Sequence, residues 1–117
     1  MANSKEVKPY SNYITVDTNP GVGGYYTDPI SVRTNPDKIR ELYFSVREES
    51  TGTSVVVPTL QFRCEGDANW TDYYNDGTSF KIGDRVKIYD NGPKVQWRAG
   101  VKQNAFTSGK VRIGFDW

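Results

Sequence analysis

The sequence predicts an all-β fold: an antiparallel β-sandwich, jelly-roll or immunoglobulin-like, of about 8–10 short strands. Three observations carry that reading. The stretch Pro93–Lys102, PKVQWRAGVK, places Val95, Trp97, Ala99 and Val101 at alternate positions, and Gly109–Trp117, GKVRIGFDW, does the same with Val111, Ile113, Phe115 and Trp117. A strand turns successive side chains to opposite faces, so each run has one apolar and one polar face. Turn residues punctuate the chain at short intervals, with eleven Gly and six Pro in 117 residues. Three Trp, eight Tyr and five Phe make 14% of the chain aromatic, and aromatic residues suit a pleated surface and bury much area each.

Taken in order, Met1–Pro9 is polar and closed by proline, and reads as an extended N-terminal arm ahead of a single sandwich domain over 10–117. Tyr10–Val16, YSNYITV, has strand composition; Asp17–Gly24, DTNPGVGG, is a loop; Tyr25-Tyr26 fits either a strand or a loop. Ile30–Arg33 is a short strand between Pro29 and Asn35-Pro36. Asn35–Glu41 has helix-start chemistry, an Asn cap followed by Pro, with room for a single turn. Leu42–Glu48 points Leu42, Phe44 and Val46 inward, and Glu49–Thr53 returns the chain. Ser54–Cys64 is the longest strand; Pro58 within it has no amide donor and so demands a sheet edge or a bulge. After a turn at Glu65–Asn69 come strands at Trp70–Tyr74, Thr78–Ile82 and Arg85–Tyr89, separated by Asn75–Gly77 and Gly83-Asp84. Asp90–Gly92 turns the chain into Pro93–Lys102. Gln103–Ser108 is expected to be the loop of a hairpin that joins this run to the last one, and the chain is expected to end in a packed strand at Trp117.

Composition narrows the functional classes. A net charge of +1 argues against a protein organised around a large field for nucleic acid or membrane. With no His, neither a Ser–His–Asp triad nor a Cys–His pair nor a His-based zinc site can be assembled. Cys64 is the one cysteine, so no internal disulfide forms, and its alternation with Leu60 and Phe62 reads as a small buried apolar residue. No apolar run approaches the ~20 residues of a membrane helix, and MANSKEVKPY lacks the apolar core of a signal peptide. The expectation is a chain made in a cytoplasm, in which Asn69-Trp70-Thr71 matches a glycosylation acceptor by chance.

Arg98, Lys102, Lys110 and Arg112 form a candidate basic row on the polar face of the last hairpin, and the favoured reading is an ordinary charged strand face. The carboxylates scatter through turns, where they bond their own backbone, with no sign of a facing pair for glycoside hydrolysis. Glu65, Asp67 and Asp72 are the best cluster for a hard cation, but their spacing fits no EF-hand loop. No catalytic residue, cofactor or metal is assigned. The residues expected to meet a partner are Lys5, Val7, Pro9 and Tyr10 of the arm and its junction, with Tyr13, Tyr25 and Tyr26. Adjacent tyrosines in a strand must present one ring outward, and outward aromatic rings are common at interfaces.

From Leu60 to Trp117 the segments LQFRCEGDANWTDY and VQWRAGVKQNAFTSGKVRIGFDW resemble small all-β virion proteins of tailed bacteriophages, over about half of the chain. The resemblance implies a β-sandwich with a structural, non-enzymatic role in a particle. In that setting the expected task is capsid decoration: a cement protein that binds the major capsid protein and stabilises the assembled shell. The arm would clamp neighbouring subunits, and a homotrimer at a local threefold is compatible with it. The alternative is a tail- or fibre-associated module that binds carbohydrate or a receptor through exposed Tyr or Trp. Either task places the chain in the virion after synthesis and assembly in the host cytoplasm, with neither a membrane nor a specific nucleic acid as partner.

Overall fold

The computed structural model describes residues 3–31, 42–88 and 95–117. Nine strands run through them: β1 (Ser4–Lys8), β2 (Ser11–Val16), β3 (Tyr25–Tyr26), β4 (Leu42–Glu48), β5 (Val55–Cys64), β6 (Thr71–Tyr73), β7 (Arg85–Ile88), β8 (Val95–Ser108) and β9 (Val111–Asp116). Their pairing is nested: β5 with β6, β4 with β7, β3 with β8 and β2 with β9, all antiparallel. The chain therefore folds as one long hairpin that is then rolled, sending successive pairs to opposite layers. The result is a five-stranded sheet in the order β1-β2-β9-β4-β7 facing a four-stranded sheet in the order β3-β8-β5-β6. That nesting is the jelly-roll member of the two architectures expected, with β1 added outside β2.

Alternation decides what each layer buries. Ile14, Val16, Leu42, Phe44, Val46, Val111, Ile113 and Phe115 face inward from the larger sheet, and Leu60, Trp97, Ala99, Val101 and Phe106 from the smaller one. Phe80 fits between the layers with its ring edge-on to Phe44, at 4.8 Å between centroids, and Phe115 lies 6.1 Å from Phe44 on another side. Val95 and Trp117 pack against this core but are partly exposed.

The last two runs do not form a hairpin. β8 pairs with β3 and β5, and β9 with β2 and β4, so consecutive strands lie in different sheets. Gln103–Ser108 is not a loop either, since β8 runs through to Ser108, which partners Val55. The polar residues there form a bulge instead. Val56 partners Phe106 and Pro58 partners Val101, leaving extra residues on β8, with Asn104 at φ 68°. Pro58 sits at that register shift, as a residue without an amide donor requires. Thr78–Ile82 is not a strand; Thr78 makes a single bridge to Asn75, and Phe80 is the buried plug. Cys64, the last residue of β5, is exposed rather than buried. Ile30 makes one bridge, to Trp97. The expected helical turn at Asn35–Glu41, the turn at Asp90–Gly92, and the ends of the Ile30–Arg33 and Arg85–Tyr89 strands lie outside the described residues.

Two connections between the sheets, β4 to β5 and β8 to β9, lie side by side and are lashed together. Ser54 donates its amide to the Glu48 carboxylate at 2.6 Å and its hydroxyl to the other carboxylate oxygen. The Ser50 hydroxyl donates to the same carboxylate at 2.7 Å. Across the gap Lys110 donates its amide to Ser54 Oγ at 2.9 Å, and Glu49 donates its amide to the Lys110 carbonyl at 2.9 Å. The turn needs Gly109, whose φ is 98° and whose Cβ, if present, would overlap the Ser54 side chain. Donors from Ser54 and then Ser50 hold the Glu48 carboxyl down at about 2, against an ordinary value of 4.5.

Two outcomes are expected. Phe44→Ala leaves a cavity among Phe80 and Phe115 and should lower unfolding free energy by about 3–5 kcal/mol in urea titration. Because the Glu48 pKa is depressed on folding, its stabilisation is complete above pH 4.5 and is lost as pH falls toward 2. Calorimetry on Glu48→Gln should therefore show a lower Tm at neutral pH and a shallower fall across that acid window.

Candidate interaction surfaces

The outward side chains of the smaller sheet form a stack. On β8 and its neighbours, register places Gln61 opposite Arg98, Arg63 opposite Gln96, Tyr26 opposite Gly100 and Asp72 opposite Gln61. The Arg98 guanidinium lies 3.9 Å from the Tyr26 ring centroid and 4.5 Å from that of Trp70; Arg63 lies 4.3 Å from Trp70. Flat cations over aromatic faces attract, more strongly as water is removed. Tyr26, Arg98, Trp70 and Arg63 thus make a ladder of alternating rings and guanidinium groups.

Amide and carboxylate groups hold the ladder in place. Arg98 Nε donates to Gln61 Oε1 at 2.8 Å, and Gln61 Nε2 donates to Asp72 Oδ1 at 2.8 Å. Lys102 Nζ is bonded to Asp72 Oδ2, and Arg63 Nε donates to Gln96 Oε1 at 3.0 Å. Burial pushes the Asp72 carboxyl up, but the Lys102 ammonium and the Gln61 amide outweigh it and leave the group below its ordinary value. Burial also pushes the Tyr26 phenol up and the Arg98 guanidinium down. Both groups already stand partly out of water.

The residues expected to meet a partner divide among separate places. Lys5 and Tyr25 come together at the seam between the sheets, where Lys5 Nζ bonds Asp28 at 3.1 Å and lies 5.7 Å from the Tyr25 ring centroid. Val7 is exposed on the same strand, and Pro9 and Tyr10 are exposed in the turn after it. Over Ser4–Lys8 the N-terminal segment lies on the chain's own sheet as β1. Tyr13 is on the outward face of the larger sheet, yet it is covered: its hydroxyl donates to Glu6 at 2.6 Å and Arg112 lies 3.5 Å from its ring centroid. Tyr26 alone of the set joins the ladder. Arg98 and Lys102 lie on one outer face and Arg112 on the other, so the expected basic row does not exist as a unit.

Among the described residues no group of three His, Cys, Asp or Glu side chains is placed to hold a metal. Asp67 accepts from the Cys64 amide at 3.3 Å and Asp72 serves the ladder. Beside the edge strands β6 and β7, Tyr73, Tyr74, Phe80 and Val86 line a groove of about 310 Å³, with Tyr73 45% and Tyr74 51% exposed. No protein-family model, curated protein or solved structure matches this chain. The surfaces themselves must therefore carry the functional reading.

Gln61, Arg63, Trp70 and Asp72 were not singled out as partner residues from sequence. The usable signal was the polar half of the alternation in LQFR, opposed to the WRAG run. Gln61→Leu removes the bridge between Arg98 and Asp72. It should cost about 1–3 kcal/mol and expose the Arg98 Nε–H to rapid solvent exchange in NMR spectra.

Proposed function

We propose that this chain is a non-enzymatic virion structural protein that decorates a capsid shell and stabilises it by binding assembled coat. The observation that carries the reading is the Tyr26–Arg98–Trp70–Arg63 ladder. Tyr, Trp and Arg dominate the energetic centres of protein interfaces, and a ladder already held by Gln61, Gln96 and Asp72 loses little side-chain freedom on docking. The likeness of Leu60–Trp117 to phage virion proteins supplies the setting and names the partner class, the major capsid protein. The jelly-roll architecture is used by viral shells and by lectins alike, so it is compatible with a place in a particle and decides neither place nor task. β1, at the sheet edge, adds a row of main-chain groups that a coat strand can extend. A ligand that binds only the assembled lattice shifts assembly toward it, and a homotrimer would multiply the effect by avidity.

A second reading, a tail- or fibre-associated carbohydrate- or receptor-binding module, draws on the Tyr73–Tyr74 groove. The ladder favours the first, because the Trp70 ring is already stacked by two guanidinium groups and offers less free face to a sugar.

Cosedimentation with assembled shells and with free coat subunits tests the choice. The full chain should bind shells alone. Trp70→Ala and Arg98→Ala should each weaken binding roughly thirtyfold, about 2 kcal/mol, in chains that circular dichroism shows to be still folded at the assay temperature, and removal of residues 1–9 should lower occupancy. Unaltered occupancy in all three variants would remove the decoration assignment, and a saccharide-dependent rise in Tm lost in Tyr74→Ala would transfer it to glycan binding.

A further inference from the structure

The outward face of the five-stranded sheet holds an arrangement that the shell reading does not use. Arg47 of β4 and Arg112 of β9 are direct cross-strand partners. Like charges opposite one another, with Cβ atoms about 5 Å apart, destabilise a sheet. Neither guanidinium has an ion-pair partner among the described residues. On the next row Tyr13, Gly114, Ser45 and Arg85 follow one another across β2, β9, β4 and β7. The three arginines, with Tyr13, Ser11, Ser45 and Asp116, line an open trough of about 370 Å³.

The walls are braced. Arg112 lies on the Tyr13 ring, and Tyr13 is tied to Glu6. Arg85 lies 4.0 Å from the Tyr43 ring centroid and donates to Asp116 at 2.9 Å. Gly114 is the floor. A Cβ there would collide with the Asn12 carbonyl and with Tyr13, so the position between Tyr13 and Ser45 stays open.

We propose that this trough is a docking site for acidic side chains, in which a carboxylate-bearing segment of a partner protein sits between Arg47, Arg85 and Arg112. The planar guanidinium fork matches a carboxylate with two parallel bonds, and Ser11 and Ser45 add hydroxyl donors at the rim. An anion between Arg47 and Arg112 turns their mutual repulsion into shared attraction. A polyphosphate would need a track of open cations. On the opposite outer face Arg63 and Arg98 lie on the Trp70 and Tyr26 rings and bond Gln96 and Gln61, and Lys102 pairs with Asp72, whereas Arg47 in the trough has no ion-pair partner among the described residues. The site is independent of the ladder and of the capsid setting.

The test uses the full chain, a capped fluorescent oligoglutamate peptide and a short oligothymidylate, with binding read by fluorescence polarisation. The peptide should bind saturably, be released by salt and outcompete the oligothymidylate. Arg47→Glu should weaken the peptide at least about tenfold while raising Tm by about 2–5 °C, since it replaces a like-charge pair with an opposite one. Arg47→Gln, which introduces no new charge, should weaken binding in the same direction, and Lys81→Gln, exposed elsewhere, should leave it unchanged. Loss of binding without any rise in Tm would remove the repulsion argument on which the site rests. Non-saturable binding, or equal affinity in Arg47→Glu, would overturn the site. Tighter binding of oligothymidylate with the same Arg47 dependence would overturn the carboxylate assignment.

Discussion

The fold depends on the bond set that joins Glu48, Ser54 and Lys110. A nested antiparallel chain becomes two layers only if its connections cross from one sheet to the other, and here two crossings meet at one spot. Each crossing leaves main-chain donors and acceptors without a ladder partner, and such groups are costly when shielded from water. The Glu48 carboxylate accepts from the Ser50 and Ser54 donors, and the Lys110 main chain accepts and donates across the gap. Ser54 is the hinge pin: it touches both crossings, and Gly109 has no side chain so that it can.

With the layers set, the inward faces close on Phe44 and Trp97 and the outward faces acquire different characters. On the smaller sheet the cationic side chains are bonded within the sheet. Arg98, Arg63 and Lys102 are matched with Gln61, Gln96 and Asp72, and the rings of Tyr26 and Trp70 lie against them. The larger sheet keeps Arg47 and Arg112 opposed, with the Glu6 carboxylate acting on Arg112 from beyond Tyr13 and no ion pair at either guanidinium among the described residues. A surface satisfied by its own residues is rigid and suits broad docking, whereas a surface that tolerates repulsion suits an incoming anion. The two proposed partners would meet opposite outward faces of the domain.

Much of the inside was legible one residue at a time. Leu42, Phe44 and Val46, and likewise Trp97, Ala99 and Val101, alternate in a way that only a half-buried strand uses, and the structure buries them. Pro58, by its missing donor, demanded a sheet edge or a bulge, and the structure has the bulge. Cys64 was misplaced because alternation says which way a side chain points and not whether anything covers it. Phe80 looked like part of a strand because a buried plug and a strand residue have the same apolar signature. The ladder was harder to see, since Tyr26, Gln61, Trp70 and Arg98 are far apart in the chain and each is unremarkable alone.

Side-chain chemistry and its two-residue rhythm determined by themselves that this protein is all-β and which way most strand side chains point, with Leu42, Phe44, Val46, Trp97, Ala99 and Val101 inward. Those are local properties, written in the pleat and in the backbone freedom of Gly and Pro. Only tertiary structure decided which strands are neighbours. Val95–Val101 and Val111–Trp117 carry the same pattern whether they pair with each other or face each other across a core, because either arrangement hides the same apolar side chains. The choice rests on long-range pairing and on the crossings at Ser54 and Gly109, and it places Arg98 and Arg112 on opposite sides of the molecule.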